Sequence, residues 1–225
     1  MLLDLIKGNT DIVSVILAIP VILFSLSFHE YAHAWAANKM GDQTARNFGR
    51  LTLNPAKHLD PVGTLCMLFF GFGWAKPVPV NSRNFEKPKK GMALTAAAGP
   101  LSNLLLGFIG MFIFKIVAAV IPDTVSTTFQ YNVIQYTVEF LYTFITMNVY
   151  LAVFNLLPVP PLDGSRLLSI VLPDKYYFGI MKYERYISLV IIVLLYTGLL
   201  SKPLSYLASL IIYGFSWLIG LLPFL

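Results

Sequence analysis

The chain has 225 residues, of which 57% are hydrophobic and only 12% are charged, and its formal net charge is +5. Soluble domains carry roughly 25% charged residues, so this composition excludes a soluble globular protein and indicates an integral membrane protein. The apolar stretches are continuous rather than alternating, which predicts membrane-spanning helices and argues against a β-barrel. The basic residues flank the apolar segments, where they suit a membrane surface and not nucleic acid.

The first predicted span covers residues 11–37. Residues 62–74 are apolar but, at about 13 residues, too short to cross a bilayer, so a re-entrant or interfacial piece is expected. Prolines alternate with valines in the stretch KPVPVN at residues 76–81, which predicts an extended edge strand. The remaining predicted apolar segments are residues 91–121, 129–156, 186–200 and 203–224.

The distribution of basic residues predicts the topology. If residues 38–90 and 157–185 share one side, that side holds 13 of the 16 Lys and Arg. The opposite side then has only Lys7 and Lys202, with Lys115 inside a span. Because positive residues favour the cytosol, this side is predicted to be cytosolic. The N-terminus is then expected outside and the C-terminus inside, after five crossings.

A potential metal-binding motif, H-E-x-x-H, lies inside the first span, where His29 and His33 flank Glu30. Residues four apart share one face of a helix, so both imidazoles can reach one metal ion, and two His ligands with an open position suit Zn²⁺. Glu30 can take a proton from a water at that ion. The alternative is a pair of histidines bonded to neighbouring helices, with Glu30 protonated.

The depth of the motif favours a functional site. It ends about six residues before Lys39, which puts it roughly 10–15 Å below the predicted cytosolic surface. Ionisable residues at such depth are rare and are mostly functional.

A third zinc ligand must come from elsewhere in the chain, which has only one other histidine, His58. Asp163, in the stretch NLLPVPPLDG, is the strongest candidate, because it follows a long apolar span and so returns to the same half of the membrane. The alternative is that Asp163 caps the N-terminus of the following helix, SRLLSIV. Both interpretations remain open on these residues alone. His58 and Asp60 are predicted to be turn and capping residues.

With these motifs in order, the sequence resembles the site-2 protease family of intramembrane zinc metalloproteases, in the bacterial and archaeal branch that lacks a PDZ domain. The resemblance spans about residues 25–170. The whole chain, residues 1–225, is expected to form one membrane-embedded metalloprotease domain without PDZ or CBS modules. Five stretches carry the resemblance: FHEYAH at 28–33, NPAKHLDPVG at 54–63, GWAKPVPVN at 73–81, AGPLSN at 98–103 and NLLPVPPLDG at 155–164.

The resemblance implies a fold and a set of site residues. The fold class is an all-α polytopic membrane protein with about five transmembrane helices and a re-entrant or short β-strand segment near the active site. His29, His33 and Asp163 are implied to bind one Zn²⁺, with Glu30 as the general base. The implied substrate-positioning or oxyanion residues are Asn155 and Asn103, and the segment implied to pair with an unwound substrate comprises Pro77, Val78, Pro79 and Val80.

The implied function is hydrolysis of peptide bonds within or near the transmembrane segments of membrane proteins, in the plasma membrane of a prokaryote. The expected partners are a transmembrane protein substrate and the lipid bilayer, without nucleic acid. Both the clearance of leftover signal peptides and the release of a membrane-held transcription regulator remain open.

Two alternatives belong to other classes. A zinc transporter or scaffold without hydrolytic activity is the first, although a transporter would show ligands on several spans and repeat symmetry, and no such symmetry is evident. The second is a membrane zinc enzyme with a downstream glutamate ligand. Glu86, Glu139 and Glu184 are the only glutamates after Glu30, and none has a suitable helical setting. Lys115 is expected to snorkel outward, and Glu139 to pair with it or to face a cavity.

Overall fold

The computed structural model describes residues 11–70, 73–122 and 127–222. Within this part of the chain the structure is helical, with no sheet, so the predicted all-α class is confirmed. In chain order the helices are α1 (Ile12–Lys39), α2 (Thr44–Asn47), α3 (Pro61–Phe70), α4 (Pro88–Val120), α5 (Thr128–Asn155), α6 (Asp163–Val171), α7 (Asp174–Met181), α8 (Glu184–Tyr196) and α9 (Ser201–Gly220), and single 3₁₀ turns lie at Pro55–Lys57 and Ser82–Asn84.

Helix α1 begins and ends at residues suited to these positions. Asp11 is its N-cap and accepts a hydrogen bond from Ser14 N at 2.6 Å, which satisfies one of the free amides of the first turn. Pro20 lies inside the helix, as is tolerated in membrane spans. The chain leaves the helix through Gly41, whose φ of 103° lies in the left-handed region that favours glycine.

Helices α1 and α4 pack antiparallel. His33 of α1 contacts the main chain of Thr95 near the start of α4, while the earlier His29 contacts the later Asn103. The end of α1 and the start of α4 therefore lie on one side of the bundle, which we call the loop side.

Helices α1 and α5 run in the same direction. Ser14 Oγ donates a hydrogen bond to Glu139, and Asn148 Nδ2 donates one to Ser25 Oγ at 2.9 Å, so both helices end on the loop side. Glu139 thus bonds to α1, and it forms no ion pair with Lys115 within the described residues.

The last long helix corrects the predicted topology. Leu204, near the start of α9, packs against Val149 and Val153 near the end of α5, while Ile219, near the end of α9, packs against Ile145. Helix α9 therefore runs antiparallel to α5, begins on the loop side and ends on the side where α1 begins. The C-terminal span was predicted to run the other way.

One segment that was predicted to cross the membrane is too short to do so. Helix α8 has 13 residues, which span about 20 Å, whereas the hydrocarbon core is about 30 Å thick. The described residues contain four helices that are long and apolar enough to cross, namely α1, α4, α5 and α9. The prediction of about five crossings counted segment 186–200, whose composition is apolar but whose helix α8 is too short.

Apolar side chains cover the outside of the bundle. On α4 one face exposes leucines and isoleucines at helical spacing, each more than 40% exposed, as expected for a surface in contact with lipid. These residues are Leu101, Leu105, Ile109, Ile113 and Ile116. With four helices of spanning length, the protein is a multi-pass membrane protein.

The chain between α1 and α4 folds back over the loop side. Asp60 Oδ1 accepts a hydrogen bond from Gly63 N at 2.8 Å at the start of α3, in the capping role predicted for Asp60. The predicted edge strand is extended, but it joins no sheet in the described part of the chain. One isolated antiparallel bridge links Leu59 and Ala75 just before it.

Candidate metal centre

Three metal-binding groups converge where α1 meets the start of α6. The Nε2 atoms of His29 and His33 are 3.0 Å apart, and each lies 3.2 Å from Asp163 Oδ2. Ligand atoms around a tetrahedral zinc with bonds of 2.0–2.1 Å stand roughly 3.3 Å apart. The three groups therefore fit one zinc ion and leave a fourth position open.

The histidine tautomers suit metal binding. His33 Nδ1 lies 2.7 Å from the carbonyl oxygen of Thr95, which can only accept a hydrogen bond, so the proton is on Nδ1. His29 Nδ1 lies 2.6 Å from Asn103 Oδ1, which likewise accepts. Each Nε2 lone pair is thus free and directed at the centre, an arrangement typical of metal-bound histidine.

A network of buried amides fixes the orientation of Asn103. Its Nδ2 donates to the carbonyl of Ser25 at 3.2 Å and to Asn148 Oδ1 at 2.8 Å. Because the Ser25 carbonyl can only accept, the amide nitrogen must face it, and Oδ1 must face His29. Asn103 and Asn148 are both fully buried, so the network lies behind the histidines and not in contact with solvent.

This location bears on the role implied for Asn103. The resemblance placed it among substrate-positioning or oxyanion residues, but both ends of its amide are already bonded to protein groups. In this geometry Asn103 orients His29, and a direct contact with substrate has no support. Sequence reasoning missed Asn148 and Thr95 altogether, although an asparagine inside an apolar span is itself unusual.

Asp163 is brought to the histidines by a break between two helices. Helix α5 ends at Asn155, and the chain returns through prolines to α6, whose N-cap is Leu162 and not Asp163. A Cβ added to Gly164 would lie 2.5 Å from the carbonyl carbon of Leu156, so only glycine fits there. The capping alternative is thereby resolved: Asp163 is the first residue inside α6, and its carboxylate faces the histidines.

The centre leaves no room for a side chain at position 99 of α4. A Cβ added to Gly99 would lie 2.7 Å from His29 Cε1 and closer still to the His33 ring. Gly99 therefore lets α4 pack directly against the imidazoles. The stretch AGPLSN thus contributes its glycine as well as Asn103.

Glu30 lies beside the three candidate ligands but is not one of the groups that converge on the metal position. It is 8% exposed, and its Oε2 accepts a hydrogen bond from the main-chain N–H of Val78 at 2.9 Å. Its carboxylate borders the same cavity of about 510 Å³ as His29, His33 and Asp163. Such a carboxylate is available for proton transfer next to a metal ion.

The predicted substrate-binding residues lie partly around this cavity. Pro77, Val78 and Val80 border it, whereas Pro79 does not. Asn155 also borders it, and its Nδ2 donates to the carbonyl of Leu151 at 2.9 Å. The extended segment and the end of α5 thus both border the candidate centre.

Comparison with known proteins places this arrangement among zinc metalloproteases. Residues 17–196 match the family described as peptidase family M50. Over 178 residues, or 79% of each chain, the sequence is 44% identical to the putative zinc metalloprotease YwhC of Bacillus subtilis.

Two more distant relatives carry similar names. A zinc metalloprotease of Methanocaldococcus jannaschii is 28% identical over 86% of this chain and 46% of its own length. The putative zinc metalloprotease Rip2 of Mycolicibacterium smegmatis is 27% identical over 83% of this chain and 69% of its own. No solved structure gives a significant match.

Proposed function

This chain belongs to peptidase family M50, the site-2 protease family, and from that premise we propose which of its residues perform the reaction. It is an intramembrane zinc metalloprotease that acts on membrane proteins in a lipid environment. We assign zinc binding to His29, His33 and Asp163 and the general base to Glu30. The observation that carries this assignment is the convergence of three potential ligand atoms within 4.8 Å of one another, beside a second carboxylate, that of Glu30, in the same cavity.

The chemistry divides between the metal and the chain. When bound, zinc polarises a carbonyl group and lowers the pKa of a water molecule toward about 7. Glu30, held next to the ligands, accepts the proton of the attacking water and then delivers it to the leaving amine. His29 and His33 are kept in the correct tautomer by Asn103 and by the carbonyl of Thr95.

We assign substrate presentation to the extended segment and to Asn155. A helical substrate hides its carbonyl groups, so it must unwind before hydrolysis, and an extended peptide can then pair with an exposed main chain. Val78 N–H is engaged by Glu30, so pairing would use carbonyl groups of the segment and the N–H of Val80. Asn155 borders the same cavity, and we assign to it a contact with the scissile peptide.

An alternative function, zinc binding without hydrolysis, is not favoured. A non-catalytic site has no need of a second carboxylate, yet Glu30 is present, borders the cavity and is not needed as a ligand. The family also consists of peptidases by description.

We propose that the loop side faces the cytosol of a prokaryote. That side holds the loops with most of the basic residues, and because α9 begins there, Lys202 lies on it too. Lys7, predicted for the opposite side, lies outside the described residues. A cysteine replacing Phe48, which is 72% exposed, should react with an impermeant thiol reagent only from the cytosolic face. Labelling from outside would reverse the orientation.

The decisive test is a cleavage assay in vesicles with a model single-span protein. Glu30→Gln removes the proton acceptor but no ligand, so activity should fall about 10²- to 10⁴-fold while zinc content stays the same. Glu139→Gln is the matched control, because Glu139 lies in the same membrane bundle but bonds to Ser14 on α1. Full activity of Glu30→Gln would contradict the assignment of Glu30 as the general base.

A further inference from the structure

The extended segment, residues 76–81, is held at its first residue by hydrogen bonds to two buried residues. Lys76 N donates to the carbonyl of His58 at 2.8 Å, and the Arg50 guanidinium donates to the carbonyl of Lys76. Arg50 is 6% exposed and His58 is 1% exposed. His58 is itself anchored, with Nε2 at 2.7 Å from the carbonyl of Thr52.

The other end of the segment is held by a buried carboxylate. Asp42 is fully buried, and its Oδ2 accepts a hydrogen bond from Asn81 N at 2.7 Å. Its Oδ1 accepts further bonds from Asn84 Nδ2 at 2.7 Å and from Thr44 N at 3.0 Å. We call Asp42, Arg50 and His58 the polar clamp.

Burial of such groups is costly, and hydrogen bonds offset that cost only in part, because Arg50 Nε and His58 Nδ1 have no partner among the described residues. Two of the three members of the polar clamp are charged, and none of them borders the catalytic cavity. All three form hydrogen bonds with the main chain of one short segment, at Lys76 before Val78 and at Asn81 after it. The clamp is therefore built to fix the position of that backbone.

Between the two anchored ends, the segment offers one main-chain donor toward the candidate base. Pro77 and Pro79 have no N–H, so Val78 supplies the N–H of this proline-valine-proline stretch. That N–H lies 2.9 Å from Glu30 Oε2. The proline-valine-proline stretch thus has a single main-chain donor, and the clamp holds it on the carboxylate.

We propose that the main-chain N–H of Val78 is a positioning donor for the Glu30 carboxylate, and that the polar clamp keeps it at hydrogen-bonding distance. This inference rests on the proposed role of Glu30 as general base. One oxygen of the carboxylate is held by Val78, which leaves the other to exchange protons with water and with the leaving amine. A glutamate side chain has several rotatable bonds, and a charge-assisted bond to a fixed backbone removes that freedom before reaction.

The sharpest test removes this N–H and keeps the side chain. Replacing Val78 by the α-hydroxy acid with the same side chain, through nonsense suppression, turns the amide into an ester. The matched control is the same change at Leu53, an exposed loop residue whose N–H makes no hydrogen bond in the described part of the chain. Both proteins are assayed on a model single-span protein in vesicles and on a short, unstructured fluorogenic peptide.

A positioning role predicts a specific kinetic pattern. The ester at Val78 should lower kcat on both substrates roughly tenfold to a hundredfold, the range expected for a hydrogen bond to a charged group. KM for the short peptide and the zinc content should stay within about twofold of wild type. The ester at Leu53 should match wild type in kcat.

Three results would overturn the inference. An increase in kcat would mean that Val78 restrains the base in a resting state. A rise in KM alone would mean that its N–H only binds substrate. An unchanged kcat would mean that the bond has no catalytic role.

Variants of the clamp provide a second, independent arm. Asp42→Asn and Arg50→Lys should lower kcat less than the ester at Val78 does, because each loosens only one end of the segment. Asn54→Ala, which removes a loop cap bonded only to Ala56, is the control. Equal kcat in clamp and control variants would reject the role of the clamp. Failure of the proposed base itself would appear separately, as full activity of Glu30→Gln.

Discussion

The metal centre and the extended segment that faces it are built in different ways. The proposed ligands His29 and His33, and Asn103, which contacts His29, lie on long membrane helices, so helix register and close packing determine their positions. Val78 lies in an irregular segment, and only hydrogen bonds from distant residues determine where it stands. The comparison suggests that zinc binding and activation of the base are separable: one depends on helix packing and the other on the polar clamp.

The largest effect is expected from the loss of a proposed metal ligand. Asp163→Ala removes one of the three ligands, so both zinc content and activity should be lost. Metal analysis of the purified protein, together with the cleavage assay, measures this. Arg166→Ala is a matched change on the same helix, one turn away, and should keep its zinc. Zinc retained at wild-type content in Asp163→Ala would remove Asp163 from the ligand set.

An intermediate effect is expected from the packing of α4 against the histidines. Gly99→Ala introduces a Cβ that collides with both imidazoles, so they must shift, and zinc affinity should fall about 10- to 100-fold, as for the loss of an orienting contact. Gly214→Ala on α9 is the control, because a Cβ there meets nothing within 4 Å. Competition with a chelator measures the affinity. Equal affinities for the two variants would show that the centre tolerates movement of α4.

The smallest effect is expected from acid, through protonation of the Asp42 carboxylate that holds the extended segment. Burial raises the pKa of Asp42, but hydrogen bonds from Thr44, Asn81 and Asn84 outweigh it and hold the pKa below its ordinary value. A carboxyl group with a lowered pKa in the folded protein stabilises it above the unfolded pKa, about 3.9, and this contribution is lost as the pH falls through the folded-state value.

Acid should therefore loosen the clamp. The apparent unfolding temperature of the wild type should fall below about pH 4 more steeply than that of Asp42→Asn, which has no such carboxyl group to protonate. Thermal unfolding in detergent as a function of pH measures the difference. Glu184→Gln, which removes an exposed carboxyl group at the start of α8, is the control. Parallel pH profiles for wild type and Asp42→Asn would exclude a stabilising role for the Asp42 charge.

Much of the fold and site was predictable because it depends on local pattern. The first span was predicted at residues 11–37 and is observed at Ile12–Lys39, since a continuous apolar run forms a helix in lipid whatever surrounds it. The spacing of His29 and His33 places them on one helix face by geometry alone. The return of Asp163 to the same half of the membrane followed from the length of the preceding span.

Other features had no local signature. The direction of α9 depends on packing of Leu204 and Ile219 against α5, and an apolar segment fits equally well in either direction. Segment 186–200 was predicted as a crossing because its composition is apolar, yet α8 is too short to span. His58 ends the 3₁₀ turn Pro55–Lys57, as predicted, but it is also buried and its carbonyl accepts a hydrogen bond from Lys76.

The sequence by itself determined the membrane class, the helices and the residue types able to bind zinc, because each follows from composition or from spacing along one helix. Only the tertiary structure decided which groups meet: Asn103 with His29, Gly99 with both imidazoles, and the main chain of Val78 with Glu30. These contacts join residues far apart in the chain, and one of them uses a main-chain group that every residue except proline carries. Such a donor becomes specific only when the fold places it.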